Sequence, residues 1–177
     1  MEIATLAGGC FWCTEALFRR LKGVSSVVSG YAGGNTENPN YDQIHSSTTG
    51  HTETIQLTFD PKVIPYERLL EIFFHLHDPT TKNRQGADVG SEYRSIIFYH
   101  NNKQKQAAAK VIQDIEKSNK YPDPIITELV PYTSFYKAEE EHQNFYEKYP
   151  MSPYCLIVID PKIKKLLEEF GDEVKEV

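Results

Sequence analysis

The apolar residues of this chain change period several times, and each change marks an element. Residues 3–7 form a short apolar run of strand length. Phe11, Leu17, Phe18 and Leu21 predict a helix over residues 11–21, which Gly23 stops. Residues 24–31 read as a second strand, followed by a glycine- and asparagine-rich loop over residues 33–40. Residues 52–59 alternate, with Ile55, Leu57 and Phe59 on one face, and form the clearest half-buried strand of the chain. After Asp60-Pro61, residues 65–76 predict an amphipathic helix ended by Asp78-Pro79. A polar loop over residues 78–92 leads to a fourth strand at 93–99.

Strand, helix, strand, strand, helix, strand is the order of a ferredoxin-like split βαβ core. The fold class expected is therefore α+β, a mixed sheet with helices packed on it and a C-terminal extension. The extension predicts a helix at 103–118, a strand at 125–130 and a helix at 137–149. An extended piece at 156–160 and a last helix at 161–170 complete it. The loop at 78–92 is long for a compact domain, which favours a functional role.

Length and charge narrow the function. At 177 residues a single domain spanning residues 1–177 is expected. The formal charge of −6, with no run of Lys and Arg longer than a pair, argues against nucleic acid or an anionic membrane as the main partner. No signal peptide or membrane-length apolar stretch is visible, so a cytoplasmic protein is expected. Three cysteines are odd in number and too few for a disulfide framework, so they read as catalytic, redox-active or metal-binding.

Two of those cysteines lie in Gly8-Gly9-Cys10-Phe11-Trp12-Cys13, together with the only tryptophan. A strand, a double glycine and a cysteine opening a helix place the sulfur at free N–H groups and partial positive charge, which favour thiolate. Phe11 and Trp12 could line an apolar pocket beside it. Cys13 makes a formal C-x-x-C, which fits a redox dithiol, half a metal site, or one nucleophile with an incidental neighbour. No second C-x-x-C or C-x-x-H exists to complete a zinc site. His75 and His77 stand two apart and do not share a helix face, while His51 and His142 read equally as structural. Glu53 alternates onto the face of Ile55 and Leu57; buried there, its pKa would rise and it could act as a general acid. Tyr41, Asp88 and Tyr93 fall in or beside the polar loops.

These segments, taken in order, resemble one family over nearly the whole chain. Gly9-Cys10-Phe11-Trp12, Gly30-Tyr31-Ala32-Gly33-Gly34, Asn38-Pro39-Asn40-Tyr41 and Thr49-Gly50-His51-Thr52-Glu53 open the series. His77-Asp78-Pro79-Thr80, Asn83-Arg84-Gln85-Gly86-Ala87-Asp88-Val89-Gly90, Glu92-Tyr93-Arg94-Ser95 and His142-Gln143 complete it. The chain is similar to the A-type peptide methionine sulfoxide reductases. The resemblance implies that Cys10 attacks the sulfoxide sulfur and that Phe11 and Trp12 hold the substrate methyl group. It implies that Glu53 protonates the sulfoxide oxygen, that Tyr41 and Tyr93 hydrogen-bond it, and that Asp88 orders substrate and water. Methionine S-sulfoxide, free or in proteins, would be reduced through a Cys10 sulfenic acid and a disulfide, with thioredoxin or a similar dithiol as external reductant. No metal or bound organic cofactor is implied, and a monomer is expected. The resolving thiol implied is Cys155, in Ser152-Pro153-Tyr154-Cys155, with Cys13 as the alternative. Where several relatives carry a glycine-rich tail, this chain has Leu156-Ile157-Val158-Ile159, a run that could bury Cys155 as structure. Two other readings of the C-x-x-C remain: a soft-metal-binding module of ferredoxin-like fold, and a general thiol–disulfide oxidoreductase.

Overall fold

Alternating burial along three neighbouring strands makes the sheet the base on which everything else sits. The computed structural model describes residues 1–176. In chain order its elements are β1 (Glu2–Ala7), α1 (Phe11–Phe18), β2 (Val24–Ala32), α2 (Tyr41–His45) and β3 (Thr52–Phe59). Next come α3 (Tyr66–Leu76), a small hairpin of β4 (Arg84–Gln85) and β5 (Asp88–Val89), then β6 (Ile96–Tyr99) and α4 (Asn102–Lys117). β7 (Glu128–Pro131), β8 (Tyr136–Lys137), α5 (Phe145–Lys148) and α6 (Asp160–Phe170) complete the series, α6 preceded by a π-helical turn over Cys155–Ile159.

The main sheet has the order β7-β6-β1-β3-β2-β8. Its four inner strands, β6-β1-β3-β2, are mutually antiparallel and give the split βαβ core expected from the element order. β7 adds to one edge in parallel with β6, and β8 adds to the other antiparallel to β2, which makes the sheet mixed. Ala4 and Leu6 of β1, Ile55 and Leu57 of β3, and Tyr31 of β2 bury one face against Leu17 and Phe18 of α1 and Leu70, Phe73 and Phe74 of α3. Ala7, Ala32, Ile96 and Phe98 form a smaller cluster on the other face with Val130, Tyr132 and Phe135.

Thr52–Phe59 matches the expected strand residue for residue, and the first two strands and the α3 and α4 helices differ from expectation only at their ends. α1 is shorter than expected, ending at Phe18. The fourth strand begins at Ile96, because residues 91–93 form a 3₁₀ turn.

Two expectations in the C-terminal half fail. Residues 137–149 do not form one helix: a 3₁₀ turn at Glu140–His142 is followed by extended Gln143, left-handed Asn144 (φ 57°) and the single turn α5. Gln143 breaks the helix because its side chain takes the place of a strand. It accepts the Ser29 N–H at 3.0 Å and donates to the carbonyls of Ser29 and Ala138 at 2.8 and 3.0 Å. Residues 156–160 are not extended but helical, running into α6. The β-branched run coils, burying Cys155 and Ile159 while Ile157 stays exposed, so packing overrides its strand propensity.

Candidate active site

Cys10 ends the turn between β1 and α1. Gly9 takes φ +89° there, and a Cβ on it would lie 2.7 Å from Gln85 Cγ, so only glycine fits. Gln85 belongs to the β4–β5 hairpin and is pinned in turn. Its amide oxygen accepts the Asp78 N–H at 2.8 Å and its amide nitrogen donates to the Asp78 carbonyl at 2.9 Å. The long polar loop is thus folded down onto the nucleophile's turn, bringing Asp88 and Tyr93 with it.

Cys10 is the N-cap residue of α1, yet its side chain makes no cap hydrogen bond. The helix start is engaged elsewhere. The Phe11 N–H donates to Glu53 Oε1 at 3.0 Å, and the N–H groups of Cys13 and Thr14 bond the Cys10 carbonyl. Burial pushes the Cys10 thiol well above its ordinary value, with its hydrogen bond to Cys13 and the Glu53 charge acting the same way. Cys13 moves in the opposite sense, to about 7, chiefly through the hydrogen bond from Cys10. The sequence reading placed an activated thiolate on Cys10; burial opposes charge there, while the hydrogen bond from Cys10 favours charge on Cys13.

Glu53 is 2% exposed, on the core-facing side of β3 as alternation predicts. Burial raises its pKa against the opposing pull of two hydrogen bonds, the Phe11 amide and the His45 imidazole, whose Nε2 lies 3.0 Å from Oε2. The environment favours the protonated carboxylic acid over the carboxylate, as a general acid requires. His45 Nδ1 lies 3.4 Å from the Tyr93 hydroxyl, and the His45 ring packs at a tilt against Tyr41, with centroids 4.0 Å apart. Burial, then the Glu53 charge, raises the pKa of both Tyr41 and Tyr93, so each phenol keeps its proton as a donor.

The apolar wall is built by Trp12. Its indole stacks on Phe145 at 3.7 Å, meets Tyr154 edge-on at 5.5 Å, and donates Nε1–H to His142 Nδ1 at 3.2 Å. Phe11 lies behind this wall, fully buried against Tyr31 and His142. The Tyr154 hydroxyl donates to Asp88 Oδ2 at 2.8 Å and sits 3.4 Å from Cys13 Sγ, closing the site from the C-terminal side. Cys10, Cys13 and Cys155 share one apolar cluster with Ala16 and Ile159. All three are free thiols; Cys10 is 8% exposed and Cys155 is fully buried.

The fold therefore gathers Cys10, Phe11, Trp12, Cys13, Tyr41, Glu53, Asp88, Tyr93 and Cys155 into one neighbourhood, leaves His51, His75 and His77 bonded elsewhere, and adds two residues that were not singled out. His45 could have been found: Asn40 and Gln43 form a capping box that starts a helix at Tyr41, which sets Tyr41 and His45 on one face four residues apart. Tyr154 carries no local signal, because its partners are 66 and 141 residues away in sequence. Glu139, Glu141 and His142 also come within metal-binding distance of one another. The Trp12 N–H occupies Nδ1 of His142, so a neutral ring carries its proton on Nε2 and has no lone pair there to offer a cation.

The chain is similar to known proteins over nearly its whole length. The family model described as peptide methionine sulfoxide reductase matches residues 2–174. A peptide methionine sulfoxide reductase MsrA of Sulfolobus acidocaldarius is 56% identical over 173 residues, 98% of this chain and 97% of the relative. One from Thermus thermophilus is 51% identical over 169 residues, 96% of this chain and 95% of the relative. Among solved structures, Mxr1 from Saccharomyces cerevisiae in reduced form superposes with a TM-score of 0.80 at 35% identity, covering 87% of this chain and 88% of that one. Mxr1 in complex with Trx2 superposes at 0.57 and 31% identity, covering 80% and 83%. The soft-metal-binding alternative finds no support among them.

Proposed function

The chain belongs to the peptide methionine sulfoxide reductase family and reduces methionine sulfoxide, and on that premise we propose a role for each residue of the site. Cys10 is the nucleophile. Its sulfur attacks the sulfoxide sulfur while Glu53 transfers a proton to the sulfoxide oxygen, which is otherwise a poor leaving group. Tyr41 and Tyr93 donate hydrogen bonds to that oxygen, and Trp12, backed by Phe11, holds the methyl group. Asp88 fixes Tyr154 at the rim of the pocket. The oxygen passes to Cys10: sulfoxide plus thiol gives methionine plus sulfenic acid. The observation that carries this reading is the buried Glu53 carboxyl, tied at 3.0 Å to the amide of the residue next to Cys10.

A second thiol then attacks the sulfenic acid, forming a disulfide and releasing water. We assign this step to Cys13, because it lies one helical turn from Cys10 in the same apolar cluster and its pKa is lowered by interaction with Cys10, which favours thiolate. Cys155 is the second reading: it shares the apolar cluster and follows Tyr154, so an opening of the π-helical turn would free it. A dithiol protein returns both cysteines to thiols, and the Mxr1–Trx2 complex supports a thioredoxin in that role. The family resemblance supports the S epimer, free or in proteins, as substrate. Three free cysteines support a reducing, cytoplasmic setting, and among the described residues no helix is long and apolar enough to cross a membrane.

The test supplies methionine S-sulfoxide and R-sulfoxide separately to the reduced enzyme and counts methionine formed and thiols lost. One methionine and two thiols per chain with the S form are expected. Thiol loss without methionine, or equal rates with both epimers, would overturn the reading.

A further inference from the structure

We propose that His45 is the positioning residue of Glu53 and the route by which the Glu53 proton is replaced after each turnover. The proposal rests on Glu53 being the acid.

An acid that gives up a proton in each cycle must recover one, and Glu53 has few ways to do so. Its side chain is 1% exposed. One of its hydrogen-bond partners is the Phe11 backbone amide, which holds the carboxyl but cannot supply a proton. The other is His45 Nε2, 3.0 Å from Oε2. The His45 side chain is 27% exposed, so a single ring touches the buried carboxyl at one end and solvent at the other. Among the described residues it is the one titratable side chain hydrogen-bonded to Glu53.

The ring is also held in place. Tyr41 packs at a tilt against it, Tyr93 lies 3.4 Å from its second nitrogen, and the Asn40–Gln43 capping box fixes the short helix that carries it. Charge favours a proton in this pair: Asp42 on α2 and Glu92 beside Tyr93 face His45, and Asp88 on β5 faces Glu53. Cys10, Tyr31 and Tyr41 face Glu53 as neutral groups. The hydrogen bond to Glu53 raises the His45 pKa against the opposing effect of burial, which favours the imidazolium form.

The step balances without any electron transfer. After Glu53 protonates the sulfoxide oxygen it is left as carboxylate. The Cys10 thiol proton leaves to water as its sulfur attacks. Imidazolium Nε2–H passes its proton to Oε2, leaving a neutral ring protonated on Nδ1, and Nε2 regains a proton from water or buffer when the emptied site admits solvent. The net proton balance is zero: one leaves from Cys10 and one returns to Glu53 through His45.

The test compares His45→Ala, His45→Gln and Glu53→Gln under steady turnover with excess dithiothreitol, from mildly acidic to alkaline pH. His45→Ala is expected to turn over roughly tenfold more slowly than wild type near pH 8 and within about twofold near pH 6. Added imidazole should restore its alkaline rate. His45→Gln keeps a hydrogen-bonding group in place but cannot titrate, and should show the same alkaline loss; it carries the test if His45→Ala does not fold. Wild-type rates for His45→Gln at alkaline pH, or a loss in His45→Ala that is independent of pH and unresponsive to imidazole, would overturn the proposal. A slow Glu53→Gln beside unimpaired His45 variants overturns this inference alone. A Glu53→Gln that matches wild type at every pH overturns the acid assignment and this inference together.

Discussion

Glu53 Oε1 accepts the Phe11 amide at 3.0 Å, which registers the acid against the residue that follows the nucleophile. The sheet sets this up. β1 and β3 are antiparallel neighbours with Leu6 opposite Ile55, so Glu53 lies at the end of β3 from which β1 enters the Cys10 turn. One strand register therefore fixes the spacing of the two reacting groups, and the helix start between them is used to hold the carboxyl.

Cys10→Ser should abolish turnover, lowering it by at least about a thousandfold, because a hydroxyl cannot become a sulfenic acid. The site is a small buried one, so the thermal unfolding midpoint should move little. Methionine release above background in the variant would remove the nucleophile assignment.

Glu53→Gln should lower single-turnover methionine release by roughly a hundredfold or more at neutral pH. Burial raises the Glu53 pKa above 4.5, so the wild-type rate should fall as pH climbs through the raised value, and the variant should lack that limb. Stability follows the same titration. A folded state that binds the proton more tightly than the unfolded chain has this group's full contribution below 4.5 and loses it as pH rises through the raised value. Unfolding by urea across that range should therefore be flatter in Glu53→Gln than in wild type, and equal slopes would contradict the burial argument.

Cys13→Ser should release one methionine per chain and then stop when thioredoxin is the reductant, whereas Cys155→Ser should continue to turn over. Mass spectrometry of the wild-type enzyme after one sulfoxide equivalent should find Cys10 joined to Cys13. A Cys10–Cys155 disulfide, with arrest in Cys155→Ser, would transfer the role to Cys155.

Glu15→Ala should loosen the C-terminal segment. The buried Glu15 carboxylate accepts the Asn144 N–H at 2.8 Å and the Ser29 hydroxyl at 3.1 Å, tying α1 to β2 and to the residue before α5. Leaving those donors unpaired costs about 1–3 kcal/mol. Chemical unfolding should read that loss, and limited proteolysis should cut beyond Asn144 sooner than in wild type. An unchanged cleavage pattern would mean that the stacking of Phe145 on Trp12 holds the segment unaided.

The sheet core was legible because its strands alternate and its helices are amphipathic, patterns that local sequence carries by itself. Glu53 was legible for the same reason, since alternation put a carboxylate on a core face. The C-terminal half was not. Gln143 leaves the helix that its neighbours favour because it satisfies the Ser29 backbone 114 residues away, and residues 157–159 coil although they are β-branched, as Cys155 and Ile159 pack into the core. The surroundings of the Cys10 sulfur were legible only in part. A helix start favours a thiolate only if its N–H groups are free, and Glu53 had already taken the one at Phe11.

The recessed sulfur of Cys10, 8% exposed beneath Tyr154, has a consequence for the proteins this enzyme repairs. A single side chain can reach it; a stretch of folded backbone cannot. A methionine sulfoxide in a rigid helix or sheet must wait until its own chain opens, so repair of a damaged protein proceeds site by site at the pace of that protein's local unfolding. Oxidised residues of one substrate should then be restored in the order of their hydrogen-exchange rates, and the enzyme acts as a reader of where its clients breathe.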